Sequence, residues 1–381
     1  MLGAVIVRRP WYRGWVFRQA LVWGLGIVIL RGLVVPAERC PPVDTAAVQR
    51  SIDGAVAWLV RGAQPDGRFL YGYHADTRKA SPLYNDTRHA GVLYVLYRAG
   101  RIRAGDAGMR HVEANLVQHD GWTAFVAPGD DADVGAASLL VVALAERRVN
   151  TGEARYDTLA RRLGRFIVSQ TRPDGSVLEF WRPSAERTVP GVHGKFSTGE
   201  ALYALALLNR VFPGEGWDRP AHRIAGYIAT RRDVAEGYAT HQPDHWAAYG
   251  LAELAPTGLT AAEVAYARRL AGYFGYEIRF ESQHTGRPLN MFTESGADLG
   301  VVGEGSAALW RLAGEDRRLA DLRPQLGERI TCLTGTTVRR QISPTDPDPN
   351  LRGAWFLHDY TQMDDQQHAI GALLGAEEVL R

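Results

Sequence analysis

Six segments of this chain are apolar almost all the way round a helix. They are TRHAGVLYVLYRAG, DVGAASLLVVALAE, HGKFSTGEALYALALL, DHWAAYGLAELA, VVGEGSAALWRLA and DDQQHAIGALLGA, with helical starts near residues 88, 133, 199, 245, 303 and 366. A helix without a polar face must be covered on nearly every side, so none of these can lie on a surface. Between them run segments of a second kind, with arginines on one face and apolar residues on the other: AAVQRSIDGAVAWLVRG, AGMRHVEANLVQ, RYDTLARRLGRFIVSQ, WDRPAHRIAGYIATRR, AAEVAYARRLAGYFGY and LADLRPQLGERITCL. These are amphipathic, one face wet and one packed.

The two kinds alternate, punctuated by Gly, Pro and Asp, which is the signature of a repeated helical hairpin. An open solenoid would leave apolar faces bare at its ends, and neither terminal hairpin carries a polar cap. Six hairpins with wet outer and dry inner helices close instead into a ring. No strand pattern of any length competes. The spacing therefore predicts one all-α domain over residues 38–381, an (α/α)6 toroid of six helical hairpins. With 381 residues, 46% of them hydrophobic, the chain can bury the core this needs. A net charge of +2 with no long basic run gives no support to nucleic-acid binding.

In architecture the chain resembles the six-hairpin glycosidase-like and terpenoid-cyclase-like toroids. Besides the six repeats, two turns carry the likeness: AQPDGRF at Ala63 to Phe69 and SQTRPDGSVLEFW at Ser169 to Trp181. Their Gln…Asp-Gly pattern is similar to the turn repeats of cyclase-type toroids, although Asp-Gly is also a general turn former.

The first 37 residues are of another type. Arg8, Arg9, Arg13 and Arg18 precede the apolar run Ala20 to Leu30, and small residues stand at Val35 and Ala37. This reads as a secretory signal cleaved after Ala37, or as an uncleaved anchor over residues 19 to 36, long enough to span a bilayer. Either way the arginines keep the N-terminal end cytoplasmic. The body is then expected on the other side, in the periplasm or cell envelope, with the N-terminal segment as its contact with the inner membrane. Cys40 and Cys332 could form a bridge in such a compartment or stand as two thiols, and without Cys-x-x-Cys spacing they make no zinc site.

In a ring of this type the inner helices all point the same way, so the loops feeding their N-termini share one mouth. Those loops carry Tyr84, Asn85, Asp86, Arg88 and His89; Asp130, Asp131 and Asp133; His193, Lys195 and Glu200; His241, Asp244, His245 and Trp246; Glu294, Asp298 and Glu304; and His358, Asp359, Tyr360, Asp364, Asp365, Gln366, Gln367 and His368. Aromatics including Tyr71, Trp122, Phe180, Phe292 and Trp355 lie among them. Carboxylates beside flat aromatic faces suit a sugar, an oligosaccharide or a polysaccharide. Six helix N-termini at one mouth favour an anionic group on it. Each acid also has a plainer role: Asp86, Asp133, Asp244 and Asp365 stand where caps and first-turn acids belong, and Ser197 with Glu200 forms a capping-box pattern.

Glycoside hydrolysis needs a proton donor and a second carboxylate. The resemblance implies inverting chemistry with acids at inner-helix starts. That makes Asp365 and Glu200 the candidate base and acid and Asp86 a third candidate. Arg88, His89, Asp133, Lys195, Asp244, His245, Trp246, Glu304, Tyr360, Asp364 and His368 would hold the substrate. A second reading is a histidine-based sugar epimerase or polysaccharide lyase acting through His89, His368, Arg88 and Tyr360. A third is a glycan-binding protein of exopolysaccharide assembly without turnover. The set His89, His368 and Asp365 lacks metal-ligand spacing, and there is no nucleophile elbow, phosphate loop or dinucleotide fingerprint, so no metal or cofactor is expected.

Overall fold

The computed structural model describes residues 12–34, 36–126, 131–237, 244–284 and 296–381. Helix α1 (Tyr12–Ile29) precedes the body. Then come α2 (Thr45–Arg61), α3 (Asp86–Arg98), α4 (Ile102–Ala114), α5 (Val134–Thr151) and α6 (Asp157–Gln170). The second half holds α7 (Ser197–Val211), α8 (Asp218–Thr230), the single turn α9 (Arg232–Ala235) and α10 (His245–Leu254). The chain ends with α11 (Ala261–His284), α12 (Gly296–Glu315), α13 (Arg323–Arg340) and α14 (Met363–Leu380).

Helices α3, α5, α7, α10, α12 and α14 are the six apolar segments. Every residue of α3 from His89 to Tyr97 is buried, as is every residue of α7 from Ser197 to Leu208. Each packs on the next, and α14 packs back on α3, so the ring closes. The amphipathic helices α2, α4, α6, α8, α11 and α13 form the outer layer. This is the alternation read from the sequence, and the six-hairpin toroid is the fold.

The two Asp-Gly turns are the same turn built twice. Gly67 and Gly175 have φ of 95° and 93°, a conformation open to glycine and costly for other residues. Asp66 accepts the amide of Arg68 at 3.0 Å, and Asp174 accepts that of Ser176 at 3.1 Å. Each glycine also sits against the backbone of the next outer helix, Gly67 near His111 and Gly175 near Arg223.

The sequence did not reveal a set of short strands. Strands β1 (Gly72–His74), β2 (Lys79–Ala80), β3 (Leu116–His119), β4 (Trp122–Phe125), β5 (Ala132–Asp133), β6 (Phe180–Arg182), β7 (Arg187–Thr188) and β8 (Tyr360–Gln362) are two to four residues long. Runs so short leave no alternation to read. The sheet β2-β1-β8 pairs Gly72 with Gln362 and so joins the first hairpin to the last. The sheet β5-β6-β7 pairs Asp133 with Phe180. Strands β5 and β8 run directly into α5 and α14, which fixes where those helices begin.

Cys40 and Cys332 are bonded, across 292 residues of chain. The same segment is pinned by Glu38, which pairs with Arg329 at 2.6 Å and Arg279 at 3.2 Å. Closing so long a loop restricts the unfolded chain, so Cys40→Ser is expected to cost about 2–5 kcal/mol of stability. Equal denaturation midpoints for the variant and the parent would refute this. Ahead of the bridge, α1 leaves its apolar side chains bare, with Trp15 58% and Trp23 70% exposed. Gly14–Gly32 is long and apolar enough to cross a membrane, with a mean hydropathy of 1.2.

Candidate active site

A cavity of about 750 Å³ opens where the inner helices begin, within the size range of small-molecule sites. Arg88 of α3, Asp133 at the cap of α5, Glu200 of α7, His245 and Trp246 of α10, Asp298 of α12, and Asp364 and His368 of α14 line it. All six inner helices therefore contribute. Lys195 lies on the same wall, and Glu179 and Gln362, which the sequence reading passed over, join them. Of the residues anticipated from sequence, Asp130, His241, Phe292 and Glu294 lie outside the described residues.

The remaining candidates are placed elsewhere. Asp365, expected as the base, accepts the Gln362 amide at 2.9 Å in a capping box at the start of α14. One step along the helix, Asp364 is the acid that reaches the cavity. Asp86 pairs with His111 at 2.9 Å and lines an adjoining cavity of about 460 Å³. His89 is fully buried between the Tyr84 hydroxyl at 2.7 Å and the Gly108 carbonyl at 3.2 Å. Burial, and then the nearby His111, lower its pKa to about 3. It is a neutral core histidine outside the cavity lining, not the substrate contact or proton carrier anticipated from the sequence. Asp244 caps α10 through the Ala247 amide at 3.0 Å and binds Arg232, both being buried. Tyr360 packs its ring 4.5 Å from that of His74.

The capping box expected at Ser197 and Glu200 does not form. Phe196 takes the cap position, and the Ser197 hydroxyl donates instead to Glu179 at 3.2 Å. This leaves the Glu200 side chain to face the cavity. Burial raises its pKa well above the usual carboxylate range, and Asp133, Asp244, Glu179 and Asp364 raise it further. Asp133 is raised mainly by burial, against hydrogen bonds from Thr87 and Gly135.

Deeper in the cavity two histidines share one acid. His368 Nδ1 lies 2.6 Å from Glu304 Oε2, and His245 Nε2 lies 3.7 Å from the same oxygen. The imidazole rings are 5.0 Å apart. Glu304 is fully buried and, unlike His245 and His368, does not line the cavity, so it serves as a support behind the wall. Tyr249 reaches it at 3.5 Å and is held in turn by Arg98 at 3.0 Å. Burial disfavours charge on His368, but the attraction of Glu304 and Asp364 outweighs it and the pKa rises. With Nδ1–H given to Glu304, Nε2 is left on the side of Asp364, 3.7 Å away, where the cavity lies.

His245 differs. Both its ring nitrogens are buried and carry no hydrogen bond among the described residues. Burial, and then the neighbouring His368, hold its pKa well down. One imidazole is thus poised as a cation and the other as a free base. Among the described residues, His245, Glu304 and His368 are also the group that could converge on a metal ion, within 4.8 Å of one another. The 2.6 Å contact between two of them is that of a charge-assisted hydrogen bond.

No protein-family model matches the sequence, and no curated protein matches it. Solved structures do match in shape. Cellobiose 2-epimerase from Spirochaeta thermophila superposes with a TM-score of 0.61 at 14% identity, over 88% of this chain and 96% of that one. The GH76 α-mannanase of Bacteroides thetaiotaomicron gives 0.58 at 8% identity, over 87% and 96%. An unsaturated glucuronyl hydrolase specific for heparin gives 0.58 at 12% identity, over 88% and 98%. Identities this low carry the fold alone. The chain thus has the (α/α)6 toroid fold, a six-hairpin ring also found in that epimerase and those glycoside hydrolases.

Proposed function

We propose that this protein is a carbohydrate-active enzyme that moves a proton at a carbon next to a sugar carbonyl, as an aldose epimerase or isomerase does. The observation that carries this is the facing pair His245 and His368 over the single carboxylate of Glu304. Such chemistry needs a base that is neutral and an acid that is charged near pH 7, side by side in one cavity. His245 takes the proton from C2 of the open-chain sugar, and the C–H electron pair forms the C1–C2 double bond. His368 Nε2–H gives its proton to O1, so an enediol results. Collapse of the enediol, with O1–H returning its proton to His368 and C2 taking one from water on the opposite face, yields the epimer as His245 sheds its proton to solvent. Loss of the O2 proton to His368, with return of the His245 proton to C1, yields the ketose. Arg88, held by Asp364 at 3.4 Å and by Gln362 at 2.9 Å, is placed to hold a substrate oxygen. We place the ring outside the cytoplasm, with α1 as signal or anchor.

Glycoside hydrolysis is the second reading, supported by Glu200, a carboxyl whose pKa burial raises, beside Asp133. In it Glu200 is the proton donor and Asp133 or Asp364 the base. A panel of mono- and disaccharides in D2O separates the two. Deuterium entering at C2 supports the histidine reading, whereas release of reducing ends without exchange overturns it in favour of hydrolysis.

A further inference from the structure

Glu200 has no role in the histidine chemistry, yet it is only 6% exposed and lines the cavity. Among the described residues its carboxyl has no hydrogen-bond or ion-pair partner. It leans over Gly135 together with Asp133. Their nearest oxygens lie 2.5 and 3.1 Å from the point where a Cβ on that glycine would stand. Glu179 completes the wall, linked to the start of α7 through Ser197. The donors these acids receive are neutral: the Thr87 hydroxyl at 2.8 Å and the Gly135 amide at 2.7 Å for Asp133, and the Ser197 hydroxyl for Glu179. The cavity's described cations are engaged elsewhere, Arg88 with Asp364, His368 with Glu304 and Lys195 over the ring of Phe196. His193 lies beside Glu179 and favours its charged form.

Three buried or half-buried acids on one wall call for a positive charge, because desolvated carboxyl groups without a counter-ion are costly. A metal ion is the first candidate, and spacing excludes it. The only described set of acid and histidine ligand atoms within 4.8 Å of one another is His245, Glu304 and His368. Asp133, Glu179 and Glu200 are not such a set, whereas the nearest oxygens of Glu200 and Asp133 flank one point beside Gly135 and can take a hydrogen-bonding group of an organic ligand between them, with Glu179 adding negative potential nearby.

We infer that Asp133, Glu179 and Glu200 form a subsite for a protonated amino group, so that the ligand of this cavity is a saccharide bearing a free amine. This rests on the carbohydrate reading of the cavity and reverses the anionic ligand expected from the helix N-termini. An ammonium offers its donors on a compact charge, and Glu200 and Asp133 are the acids placed side by side to accept them.

The test is calorimetric titration of the full chain with three disaccharides of one β-1,4 glucose skeleton: chitobiose with free amines, its N,N′-diacetyl form, and cellobiose. Chitobiose is expected to bind roughly tenfold to hundredfold more tightly than either of the others, the usual worth of a charge-assisted hydrogen bond. The preference should fall by about tenfold in Glu200→Gln, and Glu179→Gln serves as a second variant should the first fold poorly. Equal or weaker binding of chitobiose overturns the amine subsite and leaves the carbohydrate reading standing. Binding of none of the three at millimolar concentration overturns both.

Discussion

His368→Asn is expected to slow exchange of the C2 proton by roughly 100- to 10,000-fold, the range associated with a positioned acid or base. Asparagine keeps a nitrogen near Glu304 but carries no transferable proton. The loss should therefore appear in kcat with KM little changed. The pH dependence follows from the two opposite shifts. His245 must be neutral, and its pKa is lowered, so activity falls only on the acid side of the ordinary histidine value. His368 must be protonated, and its pKa is raised, so activity falls on the alkaline side of that value. The expected rate profile is a bell centred near neutrality and broader than two ordinary histidines would give. Glu304→Gln removes the charge that sustains the imidazolium and should pull the alkaline limb towards lower pH. A single-sided profile governed by one carboxyl group would contradict the assignment.

Asp244→Ala is expected to cost about 3–5 kcal/mol of stability, the penalty for breaking a buried ion pair from one side. Asp244 is 0% and Arg232 1% exposed. The change removes both the anion facing the guanidinium and the cap on α10, whereas Tyr266 at 2.7 Å continues to accept from Arg232. Asp244→Asn keeps an acceptor for the Ala247 amide and should cost less. Urea denaturation measures both. Normal stability with lost turnover would return Asp244 to the substrate-binding role suggested by its place in the sequence.

The ring was legible because burial writes itself into composition. A helix such as VGAASLLVVALAE can only be an inner one, and six of them leave few alternatives. His245 and His368 were also recognisable as helix-start histidines in matching positions. Which partners they meet was not, because Glu304 comes from a third helix and no spacing along the chain encodes that meeting. His89 shows the converse. It occupies the same kind of helix start, but Tyr84 and Gly108 satisfy its nitrogens and turn it into core. Asp364 and Asp365 are neighbours in sequence, and only the exit of β8 into α14 decides which one caps and which one faces the cavity. Glu179 stands just ahead of a three-residue strand, a feature too short to read, and so the wall it builds with Asp133 and Glu200 stayed hidden.

Because α14 returns to α3, the circle has no privileged first hairpin. A gene rearranged to join the tail after α14 to the head of α2, and opened at the exposed loop 152–155 between α5 and α6, would encode the same enclosure with the same histidines converging inside. In such a protein the reaction chamber belongs to the circle as a whole, and selection can shift the ends of the polypeptide without disturbing it.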